Sequence, residues 1–140
     1  MRLKNKKSGF TLLEIIIVII IVGVLASLAL PRFFSTVEFS KSTEALNSIG
    51  VLRGSIERCY VASAGTYVGC ALASLDVEDP SATPGTRFAY SMPGVTTATA
   101  YTIMATRNAS DGGDGVSTIS LTQLLGVVTR SGTGKFVGIK

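Results

Sequence analysis

Gly9-Phe10-Thr11-Leu12-Leu13-Glu14, running straight on into Ile15-Ile-Ile-Val-Ile-Ile-Ile-Val-Gly-Val-Leu-Ala-Ser-Leu-Ala-Leu30, is the stretch on which the fold turns. From Phe10 to Leu30 every side chain is apolar, small or a hydroxyl, with a single carboxylate, Glu14, as the exception. At about 1.5 Å of rise per residue such a run spans the ~30 Å hydrocarbon core of a bilayer, and it is predicted to be a membrane helix. Gly23 and Pro31 are its weak points. Glycine lowers helix propensity by about 1 kcal/mol, and proline removes a backbone N–H and crowds the preceding turn.

Glu14 needs a partner, because an ionised acid deep in such a helix costs roughly 2.5–3.5 kcal/mol on insertion scales. One partner is local. Thr11-x-x-Glu14 has the spacing of a capping box, in which hydroxyl and carboxylate satisfy orphan N–H groups at a helix start, where the helix dipole also favours negative charge.

Lys6-Lys7-Ser8-Gly9-Phe10-Thr11-Leu12-Leu13-Glu14, then an apolar helix with Pro31 at its far end, resembles the prepilin signal of type IV pilins and of type II secretion pseudopilins. The close match covers residues 4 to about 34. The resemblance implies that a prepilin peptidase cuts after Gly9 from the cytoplasmic side and N-methylates the new terminus, Phe10. It also implies assembly roles for Thr11, Glu14, Gly23 and Pro31, and offers Glu14 a second partner, the freed Phe10 amine of a neighbouring subunit. Local cap and intersubunit pair both stand at this point. A fibre in which residues 23 to 31 partly unwind, against a gentle kink in the isolated subunit, is the corresponding pair of readings for Gly23 and Pro31.

By the same resemblance the chain is a structural subunit and not an enzyme, and needs no cofactor. It starts as a single-pass precursor in the bacterial cytoplasmic membrane with its C-terminal domain outside the cytoplasm. There it meets the pilus or secretion assembly machinery, and it ends in a helical homo-oligomer, an extracellular pilus for adhesion, motility or DNA uptake. The alternative is a type II secretion pseudopilin forming a periplasmic piston. An ordinary secretory signal peptide, cut after Ser27-Leu28-Ala29, competes with both, but the apolar run exceeds the usual 7–15 residues and carries an acid.

Charge follows the same division. The chain has 140 residues and a formal charge of +4, but four of its thirteen basic residues, Arg2, Lys4, Lys6 and Lys7, precede Gly9. Beyond that point nine basic and nine acidic side chains balance. The basicity is therefore a topological signal that keeps the N-terminus cytoplasmic. The remaining basic residues are scattered among acids, which argues against a strong nucleic-acid surface. Cys59 and Cys70, in an oxidising compartment, suit a disulfide closing a short loop, worth about 3 kcal/mol in the chain-entropy model; two reduced, buried thiols are the other reading. With no histidine and only two cysteines, Cys–His catalysis and His-containing zinc sites are excluded.

Four segments result: a removable basic leader, 1–9; a membrane and assembly helix, 10–31; its amphipathic continuation, 32–62; and a loop plus sheet, 63–140. Ala45, Ile49, Leu52, Ile56 and Cys59 recur at helical spacing and form an inward stripe, while Glu38 with Lys41 and Arg53 with Glu57 read as a solvated outer face. Gly50 and Gly54, one turn apart, either admit a neighbouring backbone or are merely tolerated. A short helical turn is expected near Ala71 to Leu75. Three stretches, 86–91, 100–106 and 116–121, are rich in β-branched and aromatic residues and predict antiparallel strands, with Lys135 to Ile139 a fourth strand or an ordered tail. The fold class is α+β: a long N-terminal helix, membrane-spanning in its first half, packed on a small antiparallel sheet of three to four strands. Asp111 and Asp114, on the glycine-rich loop after Asn108, are the candidate calcium ligands, although a hairpin turn is the better reading and no other metal site is expected. Asn108-Ala109-Ser110 matches a glycosylation sequon.

Overall fold

The computed structural model describes residues 9–93 and 97–140; the basic arm that precedes Gly9 lies outside the described residues. The chain divides into two compact units, one up to Val37 and one from Glu38 to Lys140. A single helix, α1, covers Leu12–Ala62 and includes both Gly23 and Pro31. Four strands follow: β1 Phe88–Ser91, β2 Ala100–Arg107, β3 Thr118–Leu124 and β4 Val127–Gly132. They form one antiparallel sheet in sequence order. The result is the α+β, pilin-like arrangement expected, with four strands.

In the second unit the core forms where the helical period meets the strand period. Ala45, Ile49, Leu52 and Ile56 line one face of α1, and Tyr101, Ile103 and Ala105 of β2 with Ile119 and Leu121 of β3 alternate inward beneath them. Phe88 and Phe136 complete the cluster with their rings 5.6 Å apart. Each of these larger side chains contributes roughly 1.5–3 kcal/mol on leaving water. The outward positions of β2, β3 and β4 carry paired hydroxyls instead, Thr102 with Thr122 at 3.1 Å and Ser120 with Ser131 at 2.8 Å.

Cys59 and Cys70 are bridged, with Cα atoms 5.9 Å apart, which ties the connection after α1 back to the helix. The expected turn near Ala71 is present as a 3₁₀ turn, Leu72–Ser74.

Of the two readings of Lys135 to Ile139, a fourth strand or an ordered tail, the structure shows no strand there, and the fourth strand lies earlier in the chain. Lys135 to Ile139 forms a 3₁₀ turn, Gly134–Phe136, and a tail, because Phe136 turns inward and is fully buried. The strand is Val127–Gly132, joined to β3 by the two-residue turn Leu125-Gly126. Both turn residues have positive φ, 50° and 84°, the backbone hand that matches strand twist in a tight hairpin. The buried Gln123 amide holds this turn, its nitrogen donating to Thr99 O (3.1 Å) and its oxygen accepting from Gly126 N (3.0 Å) in the orientation that satisfies both. β3 begins two residues later than expected, at Thr118, because the Asp114 carboxylate accepts from the N–H groups of Val116 (3.1 Å) and Ser117 (2.9 Å) and holds them in the preceding turn.

Candidate functional site

The first unit presents an apolar helix with nothing covering it. Phe10 is 86% exposed, and the large apolar side chains from Leu12 to Leu30 are all exposed. Among the described residues α1 is the one helix long and apolar enough to cross a membrane. At its start Thr11 and Glu14 form the capping box. The Glu14 carboxylate oxygen Oε2 accepts from Thr11 N (2.8 Å) and from Thr11 Oγ1–H (2.9 Å), while Glu14 N donates back to Thr11 Oγ1 (3.3 Å). In the isolated subunit the acid therefore has its local partner. Gly9 and Phe10 precede the helix and are exposed.

The second unit contains a charge cluster that the sequence did not reveal. Arg107 ends β2 at an inward register position and is fully buried. Its guanidinium donates through Nε to Glu38 Oε2 (3.1 Å), through Nη1 to the carbonyls of Arg87 and Asn108, and through Nη2 to the Asp111 carbonyl and carboxylate (3.0 Å each). Lys41 closes on Glu38 at 2.6 Å, Arg87 approaches Asp111 at 3.3 Å, and Arg87 also pairs with Glu44 at 2.8 Å. Three acids and three bases thus join α1 to the residue before β1, to β2 and to the β2–β3 loop. The hydrogen bond from Arg107, helped by Lys41, holds the Glu38 carboxyl down at about 2 against the opposing effect of burial.

Glu38 and Lys41 do pair as expected, but not as a solvated face: the buried partner is Arg107. Glu57 likewise turns inward, accepting from the phenols of Tyr67 and Tyr101 at 3.0 Å each. Burial first, and then the Glu57 carboxylate, push the Tyr67 phenol up to about 12. The signal for Arg107 was the alternation Tyr101, Ile103, Ala105, which points its own side chain inward; an arginine in that register demands acids opposite it.

The two candidate calcium ligands are drawn to different partners. Asp111 faces Arg87, Arg107 and Lys41, whereas Asp114 accepts from the backbone of Val116 and Ser117 and from the Ser117 hydroxyl. Among the described residues no group of three or more acidic or thiol ligands gathers where a metal would sit. The Asn108 side-chain nitrogen, the atom a sequon would modify, donates to Thr86 O at 3.1 Å. An added methyl group at Gly50 meets nothing within 4 Å among the described residues outside its own helical turn.

Fold and helix together define the class, a pilin-like α+β protein whose N-terminus carries an exposed membrane-length helix. Residues 4–30 match the model described as the prokaryotic N-terminal methylation motif. Fimbrial protein EcpC of Eikenella corrodens is 43% identical over 58 residues, which is 41% of this chain and 38% of EcpC. A type IV major fimbrial protein FimA of Dichelobacter nodosus is 35% identical over 59 residues, 42% of this chain and 38% of FimA. Type II secretion system core protein G of Escherichia coli K12 is 42% identical over 57 residues, 41% of this chain and 39% of that protein. The matched stretch thus spans less than two fifths of these curated relatives.

Proposed function

We propose that this chain is a structural subunit of a type IV pilus: a membrane precursor cleaved after Gly9, methylated at Phe10 by a prepilin peptidase, and polymerised through α1 into an extracellular filament. The observation that carries this reading is the exposed apolar run from Leu12 to Leu30 with one capped acid, Glu14, at its head. Before assembly lipid covers that surface. In a filament other copies of the same helix replace the lipid, and because lipid tails are as apolar as leucine the gain comes from close packing and from satisfying the acid. The capping box holds Glu14 through Oε2 only in a local, replaceable way. Cleavage after Gly9 creates an amine at Phe10, and the amine of a neighbouring copy supplies the stronger, charge-assisted partner.

The four segments 1–9, 10–31, 32–62 and 63–140 then divide the work into leader, assembly helix, helical continuation and displayed head. The alternative, a type II secretion pseudopilin in a periplasmic piston, is favoured by the similarity to core protein G. Imaging of cells decides between them: surface filaments containing this chain support the pilus, and chain confined to the envelope supports the piston. A map of the same filaments tests the proposal that residues 23 to 31 unwind on assembly, since α1 includes both Gly23 and Pro31 in the isolated subunit. Unbroken helix through that segment in the filament would rule unwinding out.

A further inference from the structure

Between Phe10 and Val37 the first unit carries two charged side chains, Glu14 and Arg32, one of each sign on an otherwise uncharged stretch of α1. Both are exposed. They are 18 positions apart, which at about 3.6 residues per turn is about five complete turns, so they stand on one face of the helix about 27 Å apart. Ile17, Ile21, Leu25 and Leu28 fill that face between them and are exposed as well. Neither charge is fully used within the chain. The capping box engages Glu14 through Oε2 and its N–H, and Oε1 accepts from nothing among the described residues. The Arg32 guanidinium likewise has no hydrogen-bond or ion-pair partner among the described residues, although its carbonyl accepts from Thr36 Oγ1 at 3.0 Å.

Copies inserted in one membrane are parallel, because the basic arm gives each the same orientation. Level with one another, parallel helices set Glu14 against Glu14 and Arg32 against Arg32, and like charges repel. A shift of about 27 Å along the axis instead sets Arg32 of one copy beside Glu14 of the next. That shift is close to the ~30 Å thickness of the hydrocarbon core. A copy raised by one membrane thickness therefore brings its Glu14 level with Arg32 of an unraised copy, at the outer edge of the bilayer, where a long basic side chain keeps its head in water. We propose that Arg32 is an assembly residue: its guanidinium pairs with Glu14 Oε1 of a neighbouring copy raised by about 27 Å, and so sets the stagger between adjacent subunits. The carboxylate has room for this partner and for a Phe10 amine, since its two oxygens offer roughly four acceptor sites. Unwinding of residues 23 to 31 lengthens the stagger without changing the partner. The inference rests on the reading of the chain as a polymer subunit, in pilus or piston, and adds the register in which copies meet.

The test places thiols about one turn beyond the two charges. Ile17 and Ser35 are again 18 positions apart, so wherever Arg32 meets Glu14 of a neighbour, Ser35 meets Ile17 of that neighbour. Full-length chains carrying Ile17→Cys and others carrying Ser35→Cys are co-expressed, the assembled polymer is mildly oxidised, whether surface filament or envelope fibre, and the linked peptides are identified by mass. Cys59 and Cys70 are bridged to each other and do not compete. The expected product joins the two different variants and outweighs either like-with-like link. Adding Arg32→Gln lowers the mixed link by about tenfold or more, the worth of a charged hydrogen bond, although the chain is still inserted and cleaved; Arg32→Lys retains most of it. Polymer in which like-with-like links dominate overturns the proposal and leaves the pilus reading standing, as does a mixed link that Arg32→Gln leaves unchanged. A parent chain that never polymerises removes both.

Discussion

Glu14 and Glu38 are both acids on α1, and they solve the cost of charge differently. Glu14 leans on its own helix start, through bonds of 2.8 and 2.9 Å from Thr11. Replacing it by alanine is expected to leave the sheet unit folded and to block or slow incorporation into filaments; normal filaments from Glu14→Ala would remove acid pairing from the mechanism. Glu38 is held by buried Arg107, and its pKa is depressed from an ordinary 4.5 to about 2. The unfolded chain takes up the proton first on acidification, so the stabilisation from Glu38 is fully present above about pH 4.5 and is lost as pH falls toward 2. Asp114, lowered to about 2 by bonds from Ser117, titrates in the same window, so the contribution of Glu38 is read as a difference. Melting curves of the parent and Glu38→Gln should converge between pH 4.5 and 2; a gap independent of pH would show that the carboxylate charge is not what Arg107 requires.

Among the elements, the β3–β4 hairpin carries a local backbone misfit, as does Ala64 (φ 56°) just after α1. Leu125 occupies a left-handed conformation, φ 50°, that its Cβ disfavours by about 1–2 kcal/mol, and it is 74% exposed, so little packing offsets that cost. Leu125→Asn should raise the melting temperature, the gain being about 1 kcal/mol, because asparagine is at home in this turn position. A lower melting temperature would show that the leucine side chain makes a contact that matters more than its backbone. This hairpin is also where the sequence was hardest to read. Leu125-Gly126 lacks the Asn-Gly signature of a tight turn, and Val127–Gly132 is a mostly exposed edge strand with no apolar alternation to announce it. By contrast α1 was legible in both its apolar run and its inward stripe, because lipid and core each impose a long uniform demand on composition. The alternation through Ala105 pointed Arg107 inward, but its partners were not legible, because an ion pair between residues 69 positions apart leaves no periodic trace of its own.

At the scale of the molecule, one chain serves two environments. Up to Val37 it exposes apolar surface, which the proposed assembly would cover first with lipid and then with other copies, and from Glu38 onward it builds a small core, braced by a disulfide and a balanced charge cluster. Nothing in the second unit demands the exposed helix, and an exposed helix of that composition is a liability unless something is to cover it. That asymmetry is what a polymer subunit requires. Its most direct test is the intact mass of the chain recovered from cells, read together with fragment masses at the N-terminus. The account predicts a chain that begins at N-methylated Phe10 and still carries the whole apolar run. A mature chain that begins at Leu30, released as a soluble monomer, would contradict it.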